Sequence, residues 1–446
     1  MKTKTMLFTA VLSFTVLGLW AQTETPKTYT FNLEQCVTYA YEHQTTMLNA
    51  AIDQKIADAK VKETIGIGLP QISGTADLKD FLKVPTSLLP GEFFNQPGTY
   101  VPVKFGVKYN STLGASVNQL IFDGSYLVGL QASKTYKELS QKTFNRTQIE
   151  TNVAVTKAYY MVLVSNKQLD LLNANVSQLK LQLDQTTALF DNGFAEKIDA
   201  DRLRVIYNNL LTEKQNIERS LGLGITTLKF QMGMPVTDRL VLSGSIEDVK
   251  LDKTAFNKDS TAYANRIEYS LAQTAIKLNQ LDLKRYKSQY LPSLSAFGSG
   301  SYNYQNDNFK DLYDQSFPSV LVGLQLNVPI FSGGQRYQKV KQAEFAVKKS
   351  QNDLFQAKNA INFDIENSIT NYTNSINSLE SQQSNLNLAN EVLRVTKIKY
   401  EQGVGSSIEV TQAQTSLKEA ENNYINALYD ALVSKVDTEK ATGLIK

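Results

Sequence analysis

The chain has 446 residues, 42% hydrophobic and 20% charged, and its 46 basic and 43 acidic side chains leave no cationic excess for a nucleic-acid backbone. The single cysteine, Cys36, excludes an intrachain disulfide, and the single histidine, His43, leaves no inventory for a zinc site or a histidine acid–base dyad. No nucleophile elbow, phosphate loop or metal-spaced cluster is present, so no enzyme activity, catalytic residue, metal or cofactor is expected.

Lys2 and Lys4 precede an uncharged apolar run from Met6 to Trp20, and Ala21 stands at a cleavage position. This is the pattern of a secretory signal peptide over residues 1–21, because the run is shorter than the roughly 20 residues a spanning helix needs. Its removal leaves 44 basic against 43 acidic residues. Leu33 to Gly66 then reads as helix, closed by Leu69-Pro70, since proline disfavours helix at the residue before it. Cys36 is a small apolar filler on this helix and His43 a solvated surface residue.

At Gln71 the hydrophobic period changes to two. Gln71 to Lys79 alternates, with Ile72, Ala76 and Leu78 on one face. After a loop from Asp80 to Pro102 a second strand is expected from Val103 through Val117, ending at Ile121-Phe122-Asp123-Gly124. The period then turns helical: Val155, Val162, Leu169, Val176, Leu183 and Phe190 recur every seven residues. From Ser125 to Phe190, at about 1.5 Å per residue, this helix runs about 100 Å. Gly193 ends it, and a second helix returns over Ile198–Gln231. Pro235 to Phe256 breaks the pattern.

The same series then repeats. A helix over about Ala262–Tyr290 ends at Leu291-Pro292. Strands follow over Ser293–Gln305 and Val320–Ile330, joined by a loop from Asn306 to Pro318. Ile330-Phe331-Ser332-Gly333 echoes the first Ile-Phe-x-Gly at an offset of 209. Ile365, Tyr372, Leu379, Leu386, Leu393 and Tyr400 repeat the first heptad series at an offset of 210, and Gly403 and Gly443 match Gly193 and Gly233. The chain reads as a tandem duplication: residues 22–234, a linker at 235–256, and residues 257–446.

Four strands that alternate over about ten residues carry the signature of a membrane β-barrel, and in lipid no sheet edge can stay open. Bacterial outer-membrane barrels have at least about eight strands, so copies must combine; two chains supply eight and three supply twelve. Tyr109, Phe122, Tyr302, Tyr304 and Phe331, near the strand ends, are candidates for an interfacial girdle, although aromatics also simply favour strands.

Taken twice, the order helix, Leu-Pro, strand pair, Phe-x-Gly and long helical hairpin resembles the TolC-type outer membrane efflux factors, and the resemblance covers Phe31 to Ile445. It implies an α+β membrane protein, a homotrimer whose twelve-stranded barrel, four strands per chain, sits in the outer membrane lipid of a Gram-negative bacterium. A long periplasmic α-helical barrel would continue that barrel. The function implied is a passive conduit of a tripartite efflux or type I secretion system, partnered by a periplasmic adaptor and an inner-membrane pump.

The resemblance also places the functional residues. The hairpin tips would be Phe190–Asp199 and Tyr400–Val410, with Gly193, Phe194, Gly403, Val404, Gly405 and Ser406 touching the adaptor. Asp199 and Glu409 would match the acidic constriction. Some members carry a second acid three positions later, where this chain has Arg202 and Gln412, so a gate here would pair Arg202 with Asp199 or Glu409. Glu409 has a second explanation: Ser406-x-x-Glu409 is a capping box, and an acid suits a first helical turn. Two rival readings are a periplasmic adaptor and a secreted coiled-coil scaffold. The adaptor would carry one hairpin rather than two matched units, and the scaffold would leave the strands without a purpose.

Overall fold

The computed structural model describes residues 27–246, 249, 251–252 and 262–445. The expected signal peptide and part of the expected linker lie outside the described residues. A short strand, β1 (Thr28–Phe31), leads into α1 (Leu33–His43). Asn32 starts α1 through a capping box: its Oδ1 accepts from Gln35 N at 2.9 Å, and Gln35 Oε1 accepts from Asn32 N at 2.9 Å. Where the pattern predicts one helix to Gly66, Gln44 adopts extended backbone (φ −68°, ψ 128°) and separates α1 from α2 (Thr45–Ile67). Gly233 fits against this corner at φ +70°, and a Cβ on it would lie 2.5 Å from His43 O and 2.7 Å from Gln44 Cα.

The barrel-type strand β2 (Gln71–Asp80) follows. The expected loop contains a hairpin of its own, β3 (Thr86–Pro90) paired with β4 (Tyr100–Lys104). Val103 therefore belongs to this hairpin and not to the long strand, which is β5 (Tyr109–Phe122). The alternation across Phe105 to Lys108 misleads because Gly106, at φ +105°, breaks the strand while leaving the apolar period intact. Next come α3 (Gly124–Asp191), with 68 residues, and α4 (Lys197–Met232), with 36. In the expected linker, β6 (Arg239–Leu242) pairs in parallel with β1.

A 3₁₀ turn at Ala262–Asn265 replaces the predicted start of the second helix, so α5 spans Ile267–Ser288. Arg266, just before α5, has φ −79° and ψ 132° and stands 222 residues after Gln44, the corner residue of the first half. Gly443 packs against Asn265 as Gly233 packs against Gln44. The strands β7 (Ser293–Asn306) and β8 (Ser316–Asn327) follow, then α6 (Gln335–Glu401) and α7 (Ser407–Ala441). Strand β8 stops at Asn327, so Val328 and Ile330 lie beyond it; Ile330 and Phe331 are 93% and 87% exposed.

The four long strands form one antiparallel sheet in the order β2-β5-β7-β8, with β2 and β8 as its edges. Cross-strand partners share a face. One face carries Ile72, Ala76, Leu113, Val117, Val320, Val322, Leu324 and Leu326, with Gly298 and Gly300 between them. The other carries Gln71, Ser73, Asn118, Ser116, Ser299, Asn303 and Gln325. Tyr302 and Tyr304 stand on the apolar face at the loop end, and Phe122 and Phe331 mark the helix end. Among the described residues no helix is long and apolar enough to cross a membrane.

The main core lies where α1, α3, α4 and α7 meet the β1–β6 pair. It is built on Cys36, Val155, Tyr159, Val162, Leu228, Met232, Leu432 and Val436. Burial there pushes the Cys36 thiol up to about 12, which keeps it a neutral filler. His43 is exposed and stacks on Tyr39 at 3.9 Å between ring centroids. Each long hairpin has a separate core, Leu172, Leu179, Leu183, Leu203 and Leu210 in one and Leu386, Leu393, Val410, Ala413 and Leu417 in the other. The chain exposes 28886 Å², whereas a compact monomer of 49.8 kDa exposes about 17,000 Å². So large an excess belongs to an elongated chain.

Candidate functional site: the tips of the helical hairpins

The two tips have the same backbone. At the first, Gly193 (φ +80°) donates to Phe190 O at 2.9 Å and Phe194 N donates to Leu189 O at 2.8 Å. At the second, Gly403 (φ +76°) donates to Tyr400 O and Val404 N to Lys399 O, both at 3.0 Å. Both are glycine helix stops in the left-handed region, where a side chain is strained. Each leaves one large apolar residue on its apex, Phe194 at 82% exposure and Val404 at 76%. A Cβ on Gly405 would meet Tyr400 N at 3.0 Å and Lys399 carbonyl carbon at 3.1 Å, so alanine fits the second tip only if that backbone gives by a few tenths of an ångström.

Ser406 caps α7: its Oγ accepts from Glu409 N at 3.3 Å. The Glu409 carboxylate is exposed and makes no hydrogen bond or ion pair among the described residues, so one arm of the expected capping box forms. Gln412 is likewise exposed. Asp199 differs. It sits in the first turn of α4 with its side chain 18% exposed, and Ser407 Oγ donates to its Oδ1. Arg202 Nη1 donates to Asp199 Oδ1 at 3.4 Å and to Ser407 Oγ at 3.3 Å.

The tip thus brings Asp199 and Arg202 together with Ser407, and leaves Glu409 and Gln412 apart from them. Ser407 was not legible as a site residue, because nothing in its local pattern separates it from the cap at Ser406. The result is a three-residue clasp from the first hairpin to the second. The carboxylate of Asp199 and burial together push the nearby Tyr400 hydroxyl up, burial being the larger cause.

The clasp tops a ladder of polar links between the hairpins. Gln414 Nε2 donates to Gln182 Oε1 at 2.8 Å, Lys418 pairs with Glu213, and Asn175 Nδ2 donates to Glu421 Oε2 at 2.6 Å. A cavity of about 70 Å³ lies among Asn175, Gln178, Leu210, Leu393, Gln414 and Lys418. Burial, reinforced by the charge of Glu213, pushes the Glu421 carboxyl up, and the Asn175 bond offsets this in part. Within each hairpin the contacts are leucine-rich; between the hairpins these polar links run beside an apolar cavity wall that includes Leu210 and Leu393, and farther from the tips α3, α4 and α7 share the main core. The polar links themselves part at lower cost than apolar contacts, because their groups find water when exposed.

A family model described as outer membrane efflux protein matches residues 38–208 and 260–444. The outer membrane protein TolC of Vibrio cholerae is 25% identical over 425 residues, covering 93% of this chain and 91% of the relative. The alkaline protease secretion protein AprF of Pseudomonas aeruginosa is 23% identical over 331 residues, covering 73% of this chain and 68% of the relative. The crystal structure of CusC aligns with a TM-score of 0.76 at 14% identity, over 92% of each chain.

Proposed function

The chain belongs to the outer membrane efflux protein family, and from that membership we propose that it is an outer membrane channel through which cargo leaves the cell. The observation that carries the reading is a four-stranded sheet, apolar on one face and polar on the other, with both edges open and helices of 68 and 67 residues leading away from it. Three copies joined edge to edge, β8 of one against β2 of the next, close a twelve-stranded barrel with the polar face inward. The helical hairpins of the three copies then continue the lumen for about 100 Å.

The chain supplies the conduit and no energy, so a periplasmic adaptor and an inner-membrane pump complete the system. The adaptor engages Gly193, Phe194, Gly403, Val404, Gly405 and Ser406 at the tips. The Asp199–Ser407–Arg202 clasp holds the tips together and acts as the gate. The secretion function named for AprF supports protein cargo and the efflux family supports small solutes; both are compatible with one water-lined bore. The duplicated layout divides into residues 22–234 and 257–446 around the 235–256 linker.

Native mass spectrometry of the detergent-extracted outer membrane fraction, with the soluble periplasm as control, tests the reading. A membrane species at three times the mature chain mass is expected. A soluble monomer leaves both sheet edges open and removes the barrel.

A further inference from the structure

Where the sheet meets the helices there is a polar cavity of about 340 Å³. Arg336 and Lys339, one turn apart on α6, line it together with the hydroxyls of Ser288 and Ser332 and the amides of Asn327 and Gln335. The acid on its wall, Asp123, is already engaged, accepting from Tyr126 N at 2.9 Å. Three other cations at this junction have partners: Arg285 pairs with Asp282 at 2.7 Å, and Lys341 and Lys287 pair with Glu344 at 3.1 Å and 3.8 Å, while Lys284, outside the cavity, has none among the described residues. Among the described residues Arg336 and Lys339 have no acidic partner. Arg336 stands in the first turn of α6, which holds no acid, so the helix dipole opposes it, and Lys339 follows at the start of the next turn. Arg336 is half-buried and Lys339 exposed, so both charges are open to an anion that enters the cavity.

We propose that this cavity binds a phosphate-type anion. Arg336 supplies a planar pair of donors, Lys339 a point charge, and the Ser332 hydroxyl and side-chain amides the remaining hydrogen bonds, the Ser288 hydroxyl being engaged with Lys284 O at 2.8 Å. The inference rests on the outer membrane placement only for the source of the phosphate. In that placement the cavity lies where the barrel strands end, level with the lipid headgroups of the periplasmic leaflet. Ser293 and Asn327, cross-strand partners on the polar face of the sheet, also reach its wall, so a solute inside the conduit has access as well.

The test uses the full mature protein purified in detergent at low ionic strength. Wild type is compared with the Arg336→Gln/Lys339→Gln double variant and with Lys284→Gln, which removes a junction cation outside the cavity. Inorganic phosphate binding is read by isothermal titration, and retention of phosphatidylglycerol over phosphatidylcholine by native mass spectrometry. The double variant is expected to weaken phosphate binding about tenfold, as loss of charge-assisted hydrogen bonds does, while Lys284→Gln behaves as wild type. An unchanged melting temperature shows that the double variant is folded.

If phosphatidylglycerol retention falls in parallel, the phosphate is a lipid headgroup; if only free phosphate binding falls, it belongs to a solute of the conduit. Phosphate binding that is absent from wild type, or equal in the double variant, overturns the site. The titration needs no membrane, so its result is separate from the fractionation that tests the channel.

Discussion

Asp199 and Glu409 occupy matching places in the two halves, yet one is held and the other is free. Asp199 accepts from both Ser407 and Arg202, while Glu409 faces solvent. If the clasp is the gate, Asp199→Asn lowers the barrier to parting the tips and Glu409→Gln does not. Hydrogen bonds to a charged group contribute about 1.5–3 kcal/mol, less here because Arg202 is partly exposed. In planar bilayers Asp199→Asn and Ser407→Ala should raise mean conductance several-fold, with Glu409→Gln at the wild-type level; equal conductance in all four proteins removes the gate.

Glu421 yields a pH prediction at the same scale. Its folded carboxyl lies above the ordinary value of 4.5, so the folded state binds its proton more readily than the unfolded state does. Stability from this group therefore falls as pH rises from 4.5 through the raised folded value, and is regained on acidification. Glu213 on α4, itself paired with Lys418 on α7, is the charge that acts on it, and Asn175 on α3 is its hydrogen-bond partner. Glu421→Gln should raise the melting temperature at pH 7.5 and lose that advantage near pH 4. An equal difference at both pH values would show that burial does not hold the carboxyl up.

At the scale of elements, the glycine stops separate two kinds of tip residue. Gly193→Ala and Gly403→Ala each force a side chain into the left-handed region, at a cost of about 1 kcal/mol, with open space around the new methyl. Gly405 is not in that region, but its methyl would press to 3.0–3.1 Å on the backbone of Lys399 and Tyr400, which cannot yield without moving the end of α6, and Gly405→Ala should destabilise the second hairpin more than either. Thermal melts of the three variants check this, and a Gly405→Ala melt no lower than Gly403→Ala refutes it.

These glycines were legible because a helix stop is local chemistry, and so were the long helices and the four long strands, which rest on sustained periods. The heptad series was legible only in part. Val155, Val162 and Leu183 are buried, but Phe190 is 38% exposed, and Leu172 and Leu179 take over the core between. The second series holds over its whole length: Ile365, Tyr372, Leu386 and Leu393 are buried, and Leu379 and Tyr400 pack against the same clusters. The corner at Gln44, the β3–β4 hairpin and Ser407 were hidden for one reason. Each is set by a partner more than about 40 residues away or by a short irregular turn, and neither leaves a period to read.

For the whole molecule the decisive property is the surface that one chain cannot cover. Val320, Val322, Leu324 and Leu326 project from β8 at 63–83% exposure, all on the face shared with Ile72 and Val117. In water such a stripe on an edge strand is an aggregation site; in lipid it is the required outer band. The two settings predict opposite responses to charge. A lysine near the middle of a lipid-facing strand costs about 2–4 kcal/mol, whereas on the lumen face it meets water. Val322→Lys, opposite Gly298, should therefore abolish the heat-modifiable oligomer in the outer membrane. Leu321→Lys, one residue away and opposite Ser299, should assemble normally and alter ion selectivity. If instead Leu321→Lys blocks assembly and Val322→Lys is tolerated, the sheet is wound with its apolar face inward, and a water-filled barrel of these strands cannot exist.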